Sequence, residues 1–455
     1  MSDSDDAKVR VAIIGSGPAG SYTAGHLLRH TAREVHVDLY ERLPTPWGLV
    51  RAGVAPDHPK IKSVTNLYER TAEHPRLRLF ANVEFGKHLT LADYRSHYHA
   101  IVYAVGTPTD RAMGIPGEEL RGSYSATDFV GWYNGHPDFC DHEFELGGER
   151  VVVIGAGNVA LDVARMLVLT RAELAGTDIA DHALDVLTGS GVREVVVVAR
   201  RGPEQAAFTN PELRELGDLA DADVLVDPSE LALADAFADP AANATARRNV
   251  EILRAYSTQP PAGRTRRVAL RFLLSPAALT GTDRVEAVSF ARNTLEAGED
   301  RSLRARATDE RLELPADAVF RAIGYRGTPL TDVPFDAARG LISNEGGRVR
   351  RGEYVVGWAK RGPSGVIGTN KKDANDTVDR LLEDLAAGRL LDPPPISDAA
   401  LEEFVRTRQP QLVDHEAWVR IDRHERGLGE PAGRPRVKLT RLEEMLDAVG
   451  NDGGG

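Results

Sequence analysis

Short apolar runs, each followed by a glycine-rich turn, recur along the chain. The first run, Val9–Ile14, is rich in β-branched residues and leads into the turn Gly15-Ser-Gly-Pro-Ala-Gly20. A pattern of helical period follows, and then a second apolar run, Val35–Tyr40, which ends at Glu41. Because continuous apolar runs of this length are typical of strands buried in parallel sheets, we predict a strand–helix–strand unit here.

The same arrangement returns in the middle of the chain. Val151–Ile154 leads into Gly155-Ala-Gly-Asn-Val-Ala160, a helical pattern follows, and the strand Val195–Ala199 ends at Arg200-Arg201. The interval between this glycine turn and the arginine pair exceeds the usual ~20 residues, so we predict additional structure over residues 171–191. Two such units predict two dinucleotide-binding folds of the Rossmann type.

Two further strand-and-glycine endings indicate how these folds are joined. His99–Gly106 and Ala318–Gly324 are alike, and each is followed by a polar turn. We therefore predict an α/β protein with two Rossmann-like domains, in which residues 108–318 form a domain inserted into another. The other domain is split between residues 1–107 and 319–455.

The end of the chain differs in composition from the rest. Asp392-Pro-Pro-Pro395 predicts a stiff linker to a helical C-terminal extension from about residue 396. Gly450–Gly455 predicts a loose tail.

The first glycine turn carries the residues needed to hold a pyrophosphate. Gly15 permits the tight turn, Gly17 lets the backbone approach the phosphates, and Gly20 lets the helix pack closely on the sheet. A carboxylate at Glu41 can accept hydrogen bonds from both ribose hydroxyls. An unphosphorylated adenosine ribose is most economically that of FAD. The alternative is a structural turn with an exposed glutamate.

The second turn has the same frame, with Ala160 in its third position, but it lacks the carboxylate. Arg200 and Arg201 stand there instead, and guanidinium groups can grip a 2′-phosphate that a carboxylate would repel. This choice indicates NADP(H) over NAD(H). The alternative is a solvated arginine pair at a strand end. A nicotinamide beside a flavin predicts an enzyme of hydride transfer.

Composition narrows the class of protein further. The chain has 455 residues, a formal net charge of −12 and one cysteine, Cys140. One thiol excludes a disulfide framework, a Cys-x-x-Cys relay and an all-cysteine iron–sulfur site, and we predict no metal centre. Neither a membrane span nor a signal peptide is visible, which predicts a soluble cytoplasmic protein. A pI near 5.6 argues against general nucleic-acid binding.

Longer motifs carry a resemblance to a known family. The chain resembles adrenodoxin reductase and its bacterial ferredoxin–NADP reductase counterparts, which implies FAD in a split domain and NADP in an inserted one. The matching blocks are Pro44–Arg51, Gly53–Lys60, Gly157–Arg165, Arg200–Pro203, Glu212–Glu215 and Val356–Asn370.

The resemblance also implies contacts for each nucleotide. Those implied for FAD are Ala19, Glu41, Leu49, Val83, Trp358, Gly365, Val366 and Ile367. Those implied for NADP are Arg111, Ala156, Gly157, Asn158, Val159, Arg200, Arg201, Glu212, Trp358 and Gly365. A helix predicted over Lys371–Leu385 would point its N-terminus at the flavin, where it stabilises an anionic reduced ring.

Two residues are candidates for catalytic roles by the same resemblance. The residues that match His58 and Glu215 lie close to the nicotinamide in the family. His58 can exchange a proton near neutral pH, and Glu215 can orient it, so we assign the pair to positioning and proton handling. A histidine next to a proline would otherwise be read as a surface loop residue.

The two electrons from NADPH need an acceptor, and without a cysteine pair the chain cannot pass them through an internal disulfide. A flavin can release electrons singly, which suits an acidic ferredoxin docking on a basic patch. Arg247, Arg248 and Arg254 fall at helical spacing and are our candidates for that patch. Four more arginines follow at positions 264, 266, 267 and 271. The alternative is a solvated basic face. We expect a monomer.

Other functions share this layout. A flavin monooxygenase or an NADPH–quinone reductase also combines two nucleotide sites, and a redox sensor could bind both nucleotides without turnover. We favour electron transfer from NADPH through FAD to a ferredoxin.

Overall fold

The protein folds as two compact units. The structure, a computed structural model, describes residues 8–30, 33–235, 243–298, 303–365 and 367–450. The first unit contains the chain up to Thr109 and from Tyr325 onward, together with the short stretch Asn134–Pro137. The second unit contains the rest. The predicted boundaries lay at residues 107 and 319, and the sequence held no sign of the stretch at Asn134.

The strands alternate with helices through much of both units. They are, in chain order, β1 (Lys8–Ile14), β2 (Glu34–Tyr40), β3 (Leu77–Phe80), β4 (Ala100–Tyr103), β5 (Thr109–Asp110), β6 (Ser123–Ser125), β7 (Arg150–Ile154), β8 (Glu194–Val198), β9 (Ala222–Val226), β10 (Arg266–Arg271), β11 (Leu274–Thr280), β12 (Ala287–Ala297), β13 (Leu303–Pro315), β14 (Ala318–Arg321), β15 (Tyr325–Arg326), β16 (Phe335–Asp336), β17 (Leu341–Ile342), β18 (Arg348–Arg350) and β19 (Glu353–Val355).

The helices range from single turns to eighteen residues. They are α1 (Pro18–Leu28), α2 (Leu49–Ala52), α3 (Pro59–Lys62), α4 (Thr65–Ala72), α5 (Leu91–His97), α6 (Ala126–Tyr133), α7 (Asn158–Val168), α8 (Arg171–Ala175), α9 (Asp181–Thr188), α10 (Asn210–Glu215), α11 (Pro228–Asp235), α12 (Ala244–Thr258), α13 (Trp358–Arg361), α14 (Thr369–Ala386), α15 (Asp398–Arg408), α16 (His415–Gly429) and α17 (Leu442–Gly450). None of the helices in the described ranges is long and apolar enough to cross a membrane.

The first unit is built on a six-stranded sheet with the order β18-β19-β4-β1-β2-β3. All neighbouring pairs are parallel except β18 and β19. Ile14 pairs with both Tyr40 and Tyr103, and Tyr103 pairs with Val355, so four strands end at one edge. Ligands of open parallel sheets bind outside the carboxyl ends of the strands, which makes this edge the place to look for a site.

The second unit repeats the plan with the order β6-β14-β7-β8-β10-β9, and every pair in this sheet is parallel. Ile154 pairs with Val198 and Arg321, which again aligns the carboxyl ends. A separate antiparallel sheet, β11-β12-β13, follows β10 in the chain. The prediction of extra structure over 171–191 is confirmed, because α8 and α9 lie there.

Hydrophobic patterning predicted the strand, turn and helix around the glycine motif of each unit. The observed strands β1, β2, β7 and β8 differ from the predicted ones by one residue at their ends. The apolar residues of the two helical patterns are buried, namely Ala24, Leu27 and Leu28 on α1 and Val163, Met166 and Leu167 on α7. The helical C-terminal extension is also present, as α15, α16 and α17.

Candidate functional site

The first glycine turn is sterically dependent on its glycines. Gly15 has a φ of +107°, and a Cβ there would lie 2.5 Å from the carbonyl oxygen of Ala104, at the end of the neighbouring strand. A Cβ on Gly20 would overlap the carbonyl oxygen of Gly15. Gly17 is the N-cap of α1, and no side chain caps that helix. The turn therefore presents open backbone N–H groups at the carboxyl edge of the sheet.

Glu41 is held directly against this turn. Its Oε2 accepts hydrogen bonds from the backbone N–H of Ser16, at 3.2 Å, and from the Ser16 hydroxyl, at 2.6 Å. Its Oε1 accepts one from the backbone N–H of Leu43, at 3.1 Å. Each carboxylate oxygen retains lone pairs, so the side chain can accept hydrogen bonds from further donors.

Other residues predicted to contact FAD surround the same turn. Val83 is buried, and its backbone N–H donates to the carbonyl oxygen of Glu41 at 2.8 Å. Leu49 begins α2 and has 40% of its surface exposed. The preceding residue, Gly48, approaches Gly17 so closely that a Cβ on Gly48 would lie 3.0 Å from the Gly17 Cα. The structure brings these segments together beside the turn.

Two helix N-termini meet beside Gly357. This residue has a φ of +71°, and a Cβ on it would lie 2.7 Å from the Cβ of Ala19, in the first turn of α1. The same Cβ would lie 3.6 Å from Oδ1 of Asn370, in the first turn of α14. The Gly357 N–H donates to Oδ2 of Asp373 at 2.6 Å. Helix α14 begins at Thr369, two residues before the predicted Lys371, and no side chain caps it.

Trp358 and the segment after it lie next to this junction. The Trp358 ring packs on Tyr325 with the ring centroids 5.3 Å apart, and its indole Nε1 is buried with no hydrogen-bond partner. Gly365 lies between α13 and α14, and Ile367 packs partly buried on the core of the first unit. Val366, also predicted to contact FAD, lies outside the described residues.

Two buried polar atoms of the first unit have no hydrogen-bond partner among the described residues, and a ligand could satisfy them. Besides the Trp358 indole, the hydroxyl of Thr107 is buried and unpartnered, four residues after β4 ends at Tyr103. A buried donor or acceptor left unpaired costs about 1–3 kcal/mol, so such atoms need an explanation. A bound dinucleotide with its many polar atoms supplies one.

The second glycine turn resembles the first, but different hydrogen bonds hold it in place. Gly157 caps α7 without a side-chain bond, and a Cβ on it would meet open space. The carbonyl of Ala156 accepts from the N–H of Ala207 at 2.7 Å. The side chain of Asn158 accepts from the N–H of Thr209 at 2.8 Å. Val159 follows it on α7, half-buried.

Arg200 and Arg201 follow β8 at the carboxyl edge of the second sheet. Arg200 is exposed, while Arg201 is half-buried and donates to the carbonyl of Gln205 at 3.3 Å. Burial and then the charge of Arg200 hold the pKa of Arg201 below its ordinary value. Among the described residues, no carboxylate pairs with either guanidinium. Two uncompensated cations at this position form a site for an anionic group.

Glu212 and Glu215 lie at opposite ends of α10. Oε2 of Glu212 is buried, with no hydrogen-bond partner in the described part of the second unit. Oε2 of Glu215 lies 3.1 Å from Nη1 of Arg165, a guanidinium that is almost completely buried in α7. Sequence reasoning missed Arg165, although it ends the block that begins at Gly157.

His58 and Arg111 lie apart from the two turns in the sequence. His58 is buried, and it occupies the N-cap position of α3 in the first unit. Arg111 is exposed, and its N–H donates to the carbonyl of Gly324 at 3.1 Å in the second unit. Neither placement contradicts the predicted roles.

The predicted basic patch is smaller than the count of arginines implied. Arg247, Arg248 and Arg254 are exposed on α12, but Arg248 forms an ion pair with Glu251. The remaining four arginines donate to neighbouring groups. Arg264 donates to the carbonyls of Leu219 and Ala222, Arg266 to that of Leu169, Arg267 to Glu194 and Arg271 to Glu230.

Sequence reasoning also missed two residues of the first site. Ser16 is completely buried between Glu41 and the backbone N–H of Trp47, to which its hydroxyl oxygen lies 3.1 Å away. Asp373 fixes Gly357 and forms an ion pair with Lys360 at 2.9 Å. Ser16 and Asp373 are not among the glycines that define the motif. Ser16 could have been identified only from its position between Gly15 and Gly17, and the sequence offered no signal for Asp373.

Comparisons with known proteins agree with this geometry. The family described as pyridine nucleotide-disulphide oxidoreductase matches residues 9–215. NADPH-ferredoxin reductase FprA of Mycobacterium leprae is 51% identical over 444 residues, which cover 96% of this chain and 97% of that protein. Mitochondrial NADPH:adrenodoxin oxidoreductase of Homo sapiens is 42% identical, with 97% of this chain and 92% of that protein covered.

A solved structure matches over the full length as well. Mycobacterium tuberculosis FprA in complex with NADPH gives a TM-score of 0.93 at 48% identity, with 98% of this chain and 100% of that chain covered. The fold is thus that of an oxidoreductase with two dinucleotide-binding domains. Within that class, the chain belongs to the family of NADPH-ferredoxin reductases that includes FprA and adrenodoxin oxidoreductase.

Proposed function

We propose that this chain is an FAD-dependent NADPH–ferredoxin reductase, which carries electrons from NADPH to a ferredoxin-type iron–sulfur protein. The observation that carries the proposal is the opposite charge of the two ribose positions. Glu41 is tied to one glycine turn by Ser16, whereas Arg200 and Arg201 lie beside the other with no carboxylate partner among the described residues. The carboxylate suits a ribose without a 2′-phosphate, and the arginine pair suits a ribose that carries one. The two sites therefore need different nucleotides.

The first unit would hold FAD. Glu41 would receive the ribose, the N-terminus of α1 would receive the pyrophosphate, and Trp358 and Thr107 would gain partners for their buried polar atoms. When bound, FAD accepts two electrons from NADPH and can release them one at a time. The N-terminus of α14 carries a partial positive charge, which favours negative charge placed next to it.

The second unit would hold NADPH. The uncapped N-terminus of α7 would receive its pyrophosphate, and the arginine pair would receive the 2′-phosphate through charge-assisted hydrogen bonds. The buried, unpartnered Oε2 of Glu212 would accept a hydrogen bond from the nucleotide. We assign these roles to the residues that the family resemblance indicated, with Arg165 added behind Glu215.

His58 and Glu215 would act next to the nicotinamide by positioning and by handling protons. The charge of Arg165 holds the Glu215 carboxylate in one orientation. His58 is positioned by its place at the start of α3, where its N–H donates to Ala55 at 3.1 Å. Transfer of a hydride itself needs neither side chain.

Disulfide reduction is excluded as the chemistry of this chain. A dithiol relay needs two cysteines, and the sequence contains only Cys140. Electrons must therefore leave the flavin by a route other than an internal dithiol. We propose that their acceptor is an acidic ferredoxin, which docks on the face of α12 that carries Arg247 and Arg254. A monomeric state and a cytoplasmic location stay predictions.

The experiment that tests the proposal is the absorption spectrum of the purified protein. We expect a flavin spectrum that bleaches with NADPH and much more slowly with NADH. Rapid reduction of a ferredoxin with little peroxide formation would separate a reductase from a monooxygenase or a quinone reductase. A colourless protein, or equal bleaching by both nucleotides, would overturn the proposal. Binding of both nucleotides without oxidation of NADPH would indicate a sensor.

A further inference from the structure

The loop that carries His58 is supported by the C-terminal extension. We call residues 47–62 the His58 loop and residues 414–441 the C-terminal brace. The backbone hydrogen bonds of Arg51, Ala52 and Gly53 reach back only three or four residues, to Gly48 and Leu49. Such local bonds shape the turns, but they do not set where the loop lies in the unit.

The first link between brace and loop is a buried ion pair. Glu425 in α16 is completely buried and accepts hydrogen bonds from both terminal nitrogens of Arg51, with Nη1 at 2.8 Å. The same carboxylate accepts from Arg436 at 3.1 Å and from the Leu439 N–H at 2.9 Å. These cations hold the pKa of Glu425 below its ordinary value against the effect of burial. The two-point bond defines the orientation of both planar groups.

The second link is a buried lysine. Nζ of Lys438 donates to the carbonyl of Arg51 and to Oδ1 of Asn134, both at 3.1 Å. Asn134 is buried as well, and its Oδ1 also accepts from Lys62 at 3.3 Å. Lys438 thus reaches both ends of the segment from Arg51 to Lys62, and His58 lies between these ends.

The third link joins two tryptophans through one carboxylate. Oε1 of Glu69 accepts from the indole of Trp47 at 3.0 Å and from the indole of Trp418 at 3.1 Å. Trp47 begins the His58 loop, and Trp418 belongs to the brace. The guanidinium of Arg51 lies over the Trp418 ring, 5.6 Å from its centroid.

Buried charges of this kind are poor contributors to stability. Replacing a buried ion pair by apolar side chains of similar volume is often neutral or stabilising, because two charges lose their hydration. What such a pair adds is a defined geometry. Glu425 and Lys438 make such contacts to the loop that contains His58, and Glu425 ties that loop to Arg436 and Leu439 of the brace.

We propose that Glu425 and Lys438 are positioning residues for the reaction, through which the C-terminal brace holds His58 in its working place. This inference rests on the proposed function of His58. It assigns a role to the extension that the family motifs leave without one. The brace acts through Arg51, Asn134 and Lys62 and not by contact with substrate.

Glu425→Gln is the test variant, and Asp422→Asn is its matched control. Asp422 lies one turn earlier on α16 and binds Arg436 and Arg426, each at 2.6 Å, but its described bonds do not include Arg51. Amide hydrogen exchange of residues 48–62 is measured on the purified holoenzyme. We expect Glu425→Gln to speed exchange of the loop about tenfold, which corresponds to about 1.4 kcal/mol. Asp422→Asn should leave it unchanged.

Kinetics with NADPH and a small dye supply the second readout. Glu425→Gln should lower kcat about tenfold at nearly constant KM for NADPH, because most of the residues assigned to NADPH lie in the second unit, outside the His58 loop and the C-terminal brace. Equal effects of both variants, or faster exchange confined to the brace, would overturn the proposal. The exchange measurement needs no turnover, so failure of the proposed function would be seen separately.

If Glu425→Gln does not fold, Lys438→Met is the second test variant. It removes the ammonium group but keeps an unbranched side chain, and we expect the same faster exchange of residues 48–62. Lys438→Arg should restore part of the protection. If both Glu425→Gln and Lys438→Met prevent folding, the brace is a requirement for folding and the positioning role is wrong.

Discussion

The Glu41 carboxylate accepts two hydrogen bonds from Ser16, a residue inside the glycine turn that precedes it by 25 positions. The residue that we propose for the ribose and the turn that we propose for the phosphates are therefore joined directly by hydrogen bonds. A ligand that fits one of them is placed for the other. This connection gives the first prediction.

Loss of the Glu41 carboxylate should release the flavin. Glu41→Ala should weaken FAD binding by about 1.5–3 kcal/mol, the range for hydrogen bonds to a charged group. Ser16→Ala leaves the carboxylate in place but frees its orientation, so its effect should be smaller. For both variants, the loss of FAD is measured as the flavin that appears in the ultrafiltrate after serial dilution. Equal flavin retention by Glu41→Ala and the unaltered protein would contradict the role of the carboxylate.

Nucleotide choice should depend on Arg200. Arg200→Ala should lower kcat/KM for NADPH by about 10- to 100-fold, while kcat/KM for NADH changes little. Arg201 already donates to Gln205, so Arg201→Ala removes a loop contact and should affect both nucleotides to some degree. Dye reduction with each nucleotide measures these ratios. Equal losses with NADPH and NADH for Arg200→Ala would show that it does not read the 2′-phosphate.

Ferredoxin docking should depend on Arg247 and Arg254 more than on Arg248. These two arginines lie seven residues apart, which places them on one face of α12, whereas Arg248 lies about 100° round the helix from Arg247. Reversing Arg247 and Arg254 to glutamate should slow ferredoxin reduction about tenfold at low salt, and less at high salt. Arg248→Gln serves as the neighbouring control. Reduction of a neutral dye should not change, and an unchanged ferredoxin rate would place the docking face elsewhere.

Stability should carry a pH dependence that comes from His415. The carboxylate of Glu69, 3.6 Å from the ring nitrogen, raises the pKa of His415 above its ordinary value. A raised pKa in the folded state stabilises the fold fully below the unfolded pKa, and this stabilisation is lost as the pH rises through the folded pKa.

The corresponding variant is His415→Gln. It should lower the free energy of unfolding by up to about 1 kcal/mol at pH 5.5 and by less at pH 9, as measured by urea denaturation. The background Glu69→Gln is the control, since the pH dependence of the His415 effect should be much weaker there, with only Glu73 and Asp414 left to raise the pKa of His415. An effect of equal size at both pH values would contradict the ion pair.

The glycine turns and their strands were predictable because their constraints are local. Gly15 and Gly20 are required by backbone overlap within the same strand–turn–helix unit, and apolar runs reveal the strands that flank them. Opposite charges at Glu41 and Arg200 were readable for the same reason, since each directly follows its strand. Cofactor class could thus be inferred before the fold was known.

Long-range pairings could not be predicted in this way. Glu215 pairs with Arg165, fifty positions away, and Arg51 pairs with Glu425 near the other end of the chain. Nothing in the local pattern of a helix says which distant charge its side chain meets. The arginines of residues 264–271 illustrate the same limit, because their donors are used by carbonyls and carboxylates that only the fold brings near.

The pairing of β4 with β19 has a consequence for how the protein is made. Tyr103 lies beside Val355 in the first sheet, and the whole of the second unit is encoded between them. During synthesis on the ribosome, the edge of β4 that pairs with β19 therefore stays unpaired until the inserted unit has emerged. Since domains fold as units during synthesis, we expect the inserted unit to become native first. The flavin would then be captured last, when the remaining strands and helices have left the exit tunnel.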